Sequence, residues 1–149
     1  MKWKIAETFR ELTSRHVYDL LKLRQDVFII EQNCIYEDID GVDLISAHLL
    51  LYSSENELLA CCRIVPAGVK LNSISIGRVV SNPDKRGMGY GRQLMEKAID
   101  KIRKQGINQI EIEAQTYLLD FYRSFGFSET GQPYPVDGIP HIVMKLRDS

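Results

Sequence analysis

A glycine-rich segment in the second half of the chain has the composition of a phosphate-binding loop. It reads Arg86-Gly87-Met88-Gly89-Tyr90-Gly91-Arg92. An apolar run precedes it and an amphipathic run follows it, so the segment is predicted to join a strand to a helix. Unpaired N–H groups and the positive end of the helix dipole then favour an anion such as pyrophosphate. The glycines allow close approach of the backbone to that anion, and the arginines add charge-assisted hydrogen bonds.

Two familiar phosphate motifs do not fit this segment. A P-loop needs Lys followed by Ser or Thr, and no such pair follows the glycines. Arg92 occupies the third glycine position of a dinucleotide fingerprint that starts at Gly87. Neither ATP nor NAD is therefore favoured. Since a glycine-rich turn can also simply cap a helix, the assignment depends on a second motif.

The second motif is the segment Tyr122-Arg123-Ser124-Phe125-Gly126-Phe127. Together the two segments resemble the GNAT superfamily of N-acetyltransferases. Its acetyl-CoA loop reads Arg or Gln, two residues, Gly, one residue, then Gly or Ala, and Arg86, Gly89 and Gly91 match it. Its later helix ends in Tyr, three residues, Gly and Phe, as this one does. The departures are Gln115, where many members have Asn, and Leu118, which replaces a common Ala.

Further segments are similar to the ElaA branch of that superfamily. They include Glu31-Gln32-Asn33-Cys34, Asp38-Ile39-Asp40-Gly41 and Asp137-Gly138-Ile139-Pro140-His141-Ile142. The resemblance implies an α+β (mixed α/β) fold, with a mostly antiparallel central sheet that is splayed at the cofactor site and flanked by helices. It also implies an acetyl-CoA-dependent N-acetyltransferase, and homodimerisation is an expectation from the family.

The resemblance implies a donor site with several parts. Backbone groups of Arg78, Val79 and Val80 would bind the pantetheine arm and the thioester. The loop from Arg86 to Arg92 would bind the pyrophosphate, and Gln115 is assigned to the same cofactor site. Tyr122 is the predicted general acid for the departing thiolate. A tyrosine that only packs in the core is its structural alternative.

Acetyl transfer also needs an acceptor nitrogen without its extra proton. A lysine-like amine, with a pKa of ~10.4, is almost entirely protonated at neutral pH, so a proton acceptor is useful. Glu31 is the leading candidate because it ends the helix that enters the acceptor side. The sequence leaves other acceptors open, namely Asp40, Glu111, Glu113 and His141. Each of these could equally be a cap or a solvated polar group, and His48, among apolar neighbours, is predicted to be structural.

Apolar periodicity indicates the elements that position these residues. Helices are predicted over residues 14–30, from the glycine-rich loop to about residue 105, and over 117–125. Strands are predicted over residues 45–52, 57–65, 73–80, 109–114 and 142–146. Residues 31–43 are predicted to form a long acidic loop. Strands in the middle with helices after them predict one central sheet, in a single domain over residues 1–149.

Composition limits the partners. Lys and Arg number 19 against 20 Asp and Glu, so the whole molecule has no general attraction to nucleic acid or to a membrane surface. The chain has no apolar run of about eighteen residues and no signal-like start, so a cytoplasmic protein is expected. No Cys and His spacing suggests a metal site. Cys61 and Cys62 are adjacent in a predicted strand, where they point to opposite faces as core residues.

The acidic segment, residues 31–43, suggests which charge the acceptor carries. It carries Glu31, Glu37, Asp38, Asp40 and Asp43 without Lys or Arg. The acceptor is therefore predicted to be a primary amine of a cationic small molecule or peptide, although a solvated face is the alternative. Arg24 is predicted to pair with a loop residue such as Asp40. Two rival functions are a transferase for another acyl donor, such as an acyl-homoserine lactone synthase, and a non-catalytic acetyl-CoA-binding module.

Overall fold

Runs of apolar residues at alternating positions build a single seven-stranded sheet. The computed structural model describes residues 1–147. The strands are β1 (Lys2–Ala6), β2 (Ala47–Tyr52), β3 (Leu58–Val65), β4 (Ile74–Ser81), β5 (Gln109–Gln115), β6 (Ser128–Val136) and β7 (Ile139–Arg147). Their order in the sheet is β1-β2-β3-β4-β5-β7-β6.

The sheet opens between its two central strands. All neighbouring strands are antiparallel except β4 and β5, which run parallel. These two pair only through Ile74 with Ile110 and Ser75 with Glu111. Beyond these pairs, β4 continues to Ser81 and β5 to Gln115 without pairing to each other. The predicted splayed, mostly antiparallel sheet is confirmed.

The helices are α1 (Ser14–Arg24), α2 (Tyr90–Arg103) and α3 (Leu119–Arg123). The chain continues from α1 as a π-helix, Gln25–Glu31, so the first predicted helix is one helical run whose last turns are wider. Thr13 caps α1, and its hydroxyl accepts a hydrogen bond of 3.2 Å from the backbone N–H of His16. Within residues 1–147, no helix combines the length and the apolar character of a membrane span.

The helices cover the two faces of the sheet. On one face, α2 and α3 pack over a core that includes Cys62, Ile112 and Met144. On the other face, α1 packs over a smaller core that includes Leu50 and Cys61. The two adjacent cysteines therefore point to opposite faces, as predicted from strand alternation. Burial raises the pKa of the Cys61 thiol to about 12.

Two strands were not predicted from the sequence. The edge strand β1 alternates Lys2 and Lys4 with apolar residues, a signal that is short but present. The other edge strand, β6, contains Pro133 and Pro135, which argue against a strand when only the local sequence is read. Proline is tolerated there because one side of an edge strand needs no hydrogen-bond partner.

Candidate active site

The opening between β4 and β5 leads into a cavity of about 1040 Å³, which is large enough for a cofactor and a substrate together. Residues of β4, the glycine-rich loop, α3, β7 and the segment after the π-helix all line it. The predicted site residues that line it are Glu31, Arg78, Val79, Val80, Arg86, Gly87, Gly89, Tyr90, Gly91, Arg92, Gln115 and Tyr122. Met88 does not line the cavity and its side chain is exposed.

The glycine-rich loop needs glycine for its backbone shape. Gly87 and Gly89 have φ values of 82° and 81°, in the left-handed region that side chains disfavour. Gly89 is the residue that precedes α2, so the loop ends at the N-terminus of a helix of 14 residues. The first free N–H groups of α2 and its positive dipole end therefore lie at the mouth of the cavity.

The structure brings the two sequence motifs into contact. The guanidinium of Arg92 donates a hydrogen bond to the hydroxyl of Ser124 and lies 4.5 Å from the centre of the Phe125 ring. A side chain at Gly91 would meet Phe121 at 3.8 Å. The start of α2 thus packs directly against α3, and this contact places Tyr122 beside the loop.

Tyr122 is buried between aromatic rings but reaches the cavity. Its exposed fraction is 6%, and its ring makes edge contacts with Phe121 and Phe127 at 5.1 and 6.3 Å. Within residues 1–147, no protein group forms a hydrogen bond with its hydroxyl. Burial raises the pKa of Tyr122 above its ordinary value, so the hydroxyl keeps its proton at neutral pH. The hydroxyl is therefore a free donor beside the cavity.

Glu31 lies beside the glycine-rich loop. Its carboxylate accepts two hydrogen bonds from the guanidinium of Arg86, one of them 2.8 Å long. These hydrogen bonds lower the pKa of Glu31. A carboxylate that is held by Arg and has a lowered pKa is a poor proton acceptor. The structure thus pairs the predicted base with the predicted phosphate ligand.

The other proposed proton acceptors have distinct surroundings. Glu111 is buried, accepts a 2.7 Å hydrogen bond from the backbone N–H of Ser73 and does not line the cavity. Glu113 lines the cavity and accepts a 2.6 Å hydrogen bond from the Tyr134 hydroxyl. His141 also lines the cavity, with its Nδ1 atom 2.7 Å from the carbonyl oxygen of Ile139. Of these three residues, Glu113 and His141 therefore lie in the cavity wall.

A buried ion-pair cluster holds the acidic loop against α1. Arg24 is 2% exposed and donates to Asp38 at 2.9 Å and to Asp43 at 2.8 Å. The partner predicted from the sequence, Asp40, is not one of its hydrogen-bond partners. The Nε2 atom of the buried His48 donates to the carbonyl oxygen of Asp43 at 2.8 Å, which fits the predicted structural role.

Asp40 is occupied by other basic side chains that line the cavity. Arg63 binds both its carboxylate oxygens at 2.9 Å, and Lys70 and Arg78 approach it at 3.1 and 3.3 Å. Although burial acts to raise the pKa of Asp40, Arg63 and the backbone N–H of Val42 hold it well below its usual range. Asp40 is therefore unsuited to take a proton at neutral pH.

The sequence did not predict that Arg63 or the side chain of Arg78 would bind the acidic loop. A signal existed for Arg63, because a charged residue inside the apolar run of β3 must find a buried partner. Arg78 was predicted to act through its backbone. Its φ of 50° is uncommon for a residue other than glycine, and its guanidinium lies 2.9 Å from Asp38. The acidic loop is thus neutralised by arginines rather than exposed as a free negative surface.

Gln115 lies at the end of β5, where the sheet is open. Its side-chain oxygen accepts a 3.1 Å hydrogen bond from the amide of Gln32, which follows the π-helix. This contact joins the segment after the π-helix to the central strand β5, so Gln115 has a structural partner as well as a place in the cavity wall. No group of three His, Cys, Asp or Glu side chains within the described residues 1–147 is arranged to hold a metal ion.

Comparison with known proteins identifies the family. Residues 22–147 match the acetyltransferase (GNAT) domain model. Protein ElaA of Escherichia coli is 41% identical over 137 residues, which cover 90% of this chain and 89% of that protein. The chain therefore belongs to the GNAT acetyltransferase family and is similar to ElaA. The class predicted from the two motifs, a GNAT-type N-acetyltransferase, is confirmed.

Solved structures agree with this assignment. An acyl-CoA N-acyltransferase from Pseudomonas aeruginosa is 34% identical, with a TM-score of 0.89 over 98% of this chain and 99% of that chain. The structure of Escherichia coli ElaA is 38% identical, with a TM-score of 0.88 over the same shares of both chains. An aminoglycoside 6'-N-acetyltransferase complexed with coenzyme A is 15% identical, with a TM-score of 0.72 over 97% and 96%, and shares the fold.

Proposed function

We propose that this protein transfers the acetyl group of acetyl-CoA to a primary amine. The observation that carries the proposal is the position of the glycine-rich loop. It lies at the N-terminus of α2, beside the opening between β4 and β5, with the Tyr122 hydroxyl in the same cavity. The neighbour that was solved with coenzyme A shares this fold, which supports CoA as the carrier.

On the donor side, backbone and charge act together. The N–H groups at the start of α2 would bind the pyrophosphate, and Arg86 and Arg92 would supply charge-assisted hydrogen bonds. Beyond Ser75, β4 has no strand neighbour on the side of β5, and there the pantetheine arm would add hydrogen bonds to the backbone of Val79 or Val80. The thioester would then lie beside Tyr122, whose hydroxyl donates a proton to the departing sulfur.

Glu31 belongs to the donor side in this proposal. Its carboxylate holds the guanidinium of Arg86 at the phosphate loop, where the remaining N–H groups of that guanidinium would donate to phosphate. Because this pairing makes it a poor base, removal of the proton from the amine is assigned elsewhere.

The acceptor is proposed to be a primary amine of a small molecule or peptide. The acidic loop offers less support for a cationic acceptor than its composition suggested, because Asp38, Asp40 and Asp43 are all paired with arginine. The carboxylates of Glu37 and Asp137 also line the cavity. The negative charges of these two side chains are the remaining reason to expect a positively charged acceptor.

A comparison of acyl donors tests the proposed function. With a broad panel of amines, we expect amine-dependent release of free CoA from acetyl-CoA and much slower release from long-chain acyl-CoA. Faster release from the long-chain donors would indicate another acyltransferase. Tight binding of acetyl-CoA without turnover across the panel would indicate a non-catalytic binding module. Calorimetry with acetyl-CoA and an assay of free thiol measure the two quantities.

We expect Arg86→Ala to weaken CoA binding roughly 10- to 100-fold and to leave binding of pantetheine nearly unchanged. The lost hydrogen bonds would go to phosphate, and each charge-assisted bond contributes about 1.5–3 kcal/mol. Arg147→Ala is the matched control, because Arg147 is exposed and does not line the cavity. Equal losses for both ligands in calorimetry would remove Arg86 from the phosphate site.

A further inference from the structure

His141 lines the cavity, but the proposed binding of acetyl-CoA gives this histidine no role. We propose that it is the general base that takes the proton from the acceptor amine. This inference rests on the proposed acetyl transfer to an amine, and it assigns that reaction a residue on the acceptor side.

The position of His141 in the sheet places it opposite the general acid. On β7, Ile142 and Met144 point into the core below α2, so the half-buried His141 points to the other face. It is level with Gln115 of β5 and Tyr134 of β6. Tyr122 packs in the core below α2. An acceptor from the face of α1 would therefore meet His141, while sulfur would leave toward Tyr122 on the opposite face.

The hydrogen bond of its ring determines what His141 can do. A carbonyl oxygen only accepts hydrogen bonds, so the Nδ1 atom must donate to the Ile139 oxygen, 2.7 Å away. In the neutral ring, the proton is then on Nδ1, and Nε2 carries a lone pair. No protein group within residues 1–147 hydrogen-bonds to that Nε2 atom. The ring is thus held in the tautomer whose proton-accepting nitrogen is Nε2, the atom without a hydrogen-bond partner within residues 1–147.

Two of the carboxylates predicted from the sequence as proton acceptors line the cavity but are held by arginine. Glu31 is held by Arg86, and Asp40 is held by Arg63. Glu113 accepts a hydrogen bond from Tyr134 and is the remaining rival, since one of its oxygens is free for another donor. The structure therefore reduces the five candidates from the sequence to two residues on the same face, Glu113 and His141. Glu113 already accepts a hydrogen bond, whereas Nε2 of His141 has no hydrogen-bond partner within residues 1–147.

The proposed step balances its protons. The Nε2 atom takes one proton from the ammonium, and the neutral nitrogen attacks the thioester carbonyl carbon to form the C–N bond. The C–S bond breaks, and sulfur takes the proton of the Tyr122 hydroxyl. The second proton of the nitrogen passes through water to the Tyr122 oxygen, and His141 releases its proton to solvent. The products are the amide, free CoA and one proton.

A pair of similar amines tests this role. Ethylamine is mostly protonated at neutral pH, whereas trifluoroethylamine, of nearly the same shape, is mostly neutral. In single-turnover assays, His141→Asn is expected to slow acetyl transfer to ethylamine by about 10²–10⁴-fold and transfer to trifluoroethylamine far less. The asparagine amide retains a donor for the Ile139 oxygen. Added imidazole should restore part of the ethylamine rate, and a merely structural role would not produce this rescue.

Two further variants test whether His141 or Glu113 is the general base. His16→Asn changes a histidine that caps α1 outside the cavity and should leave both rates at the parental value. Glu113→Gln should change the ethylamine rate much less than His141→Asn does. Equal losses for the two amines in His141→Asn, or a larger loss in Glu113→Gln, would overturn the assignment of His141.

The ring tautomer provides a test that needs no acceptor. Nitrogen chemical shifts of the His141 ring in the folded protein with CoA should show the proton on Nδ1. A proton on Nε2 in the neutral ring would overturn the assignment. If the parent protein acetylates neither amine, the proposed function fails for these acceptors, and the tautomer alone decides whether the proton-accepting atom of His141 is Nε2. A parent that is active with both amines and an unaffected His141→Asn would refute only the role of His141.

Discussion

Replacement of Tyr122 by Phe is expected to slow acetyl transfer by about 10²–10⁴-fold, while acetyl-CoA affinity stays close to that of the parent protein. The ring and its contacts with Phe121 and Phe127 are retained. Stability should change little, because the Tyr122 hydroxyl has no hydrogen-bond partner among residues 1–147. Only protonation of the departing sulfur is lost, so the effect should appear in the chemical step.

Single-turnover kinetics with saturating acetyl-CoA measure this step directly. Tyr52→Phe is the matched control, because Tyr52 is also buried but donates to Asp19 outside the cavity. That variant should keep the parental rate. A thioester with a better leaving group should be less sensitive to the loss of the Tyr122 hydroxyl. A parental rate for Tyr122→Phe, when chemistry limits turnover, would show that water or another residue protonates the sulfur.

Replacement of Arg24 by Met is expected to lower the free energy of unfolding by about 3–5 kcal/mol. Arg24 is 2% exposed, and its removal leaves the buried Asp38 and Asp43 with fewer partners. Buried carboxylates that lose a partner keep the cost of desolvation without its compensation. The loop that contributes Tyr36 and Glu37 to the cavity would then be held less firmly.

Urea denaturation of the parent and of two variants measures this effect. Arg15→Met makes the same change on the same helix, but Arg15 is 78% exposed in its pair with Asp19, so at most about 1 kcal/mol should be lost. A loss in Arg24→Met no larger than in Arg15→Met would contradict the prediction.

The pH dependence of the free energy of unfolding provides a second test of the ion pairs of Arg24. Burial acts to raise the pKa of Asp43, but its hydrogen bonds with Arg24 lower it below the ordinary value of 3.8. The stabilisation is therefore complete above pH 3.8 and is lost as the pH falls through the depressed pKa of the folded state. The difference in stability between the parent and Arg24→Met should shrink over that acidic range.

Contacts between residues close in sequence were predictable where the local residues have the pattern of a particular helix or turn. Apolar spacing indicated α2, the glycines indicated the turn before it, and Thr13 indicated the start of α1. The local sequence was misleading where a residue is tolerated only because its strand lies at the edge of the sheet. Pro133 and Pro135 are compatible with β6 because that strand is at an edge, and the edge position is not visible in the local sequence.

The sequence by itself determined the family and the donor motifs, because the residues of each motif are neighbours along one turn or one helix. Tertiary structure alone decided the partners of the charged residues. Glu31 and Arg86 are 55 positions apart, and Arg24 and Asp43 are 19 apart, so each could have paired with several groups of suitable charge. Packing of α1 and the π-helix against the open sheet selected one set of pairs. The same packing left Nε2 of His141 without a hydrogen-bond partner among residues 1–147, a property that depends on where every neighbouring side chain lies.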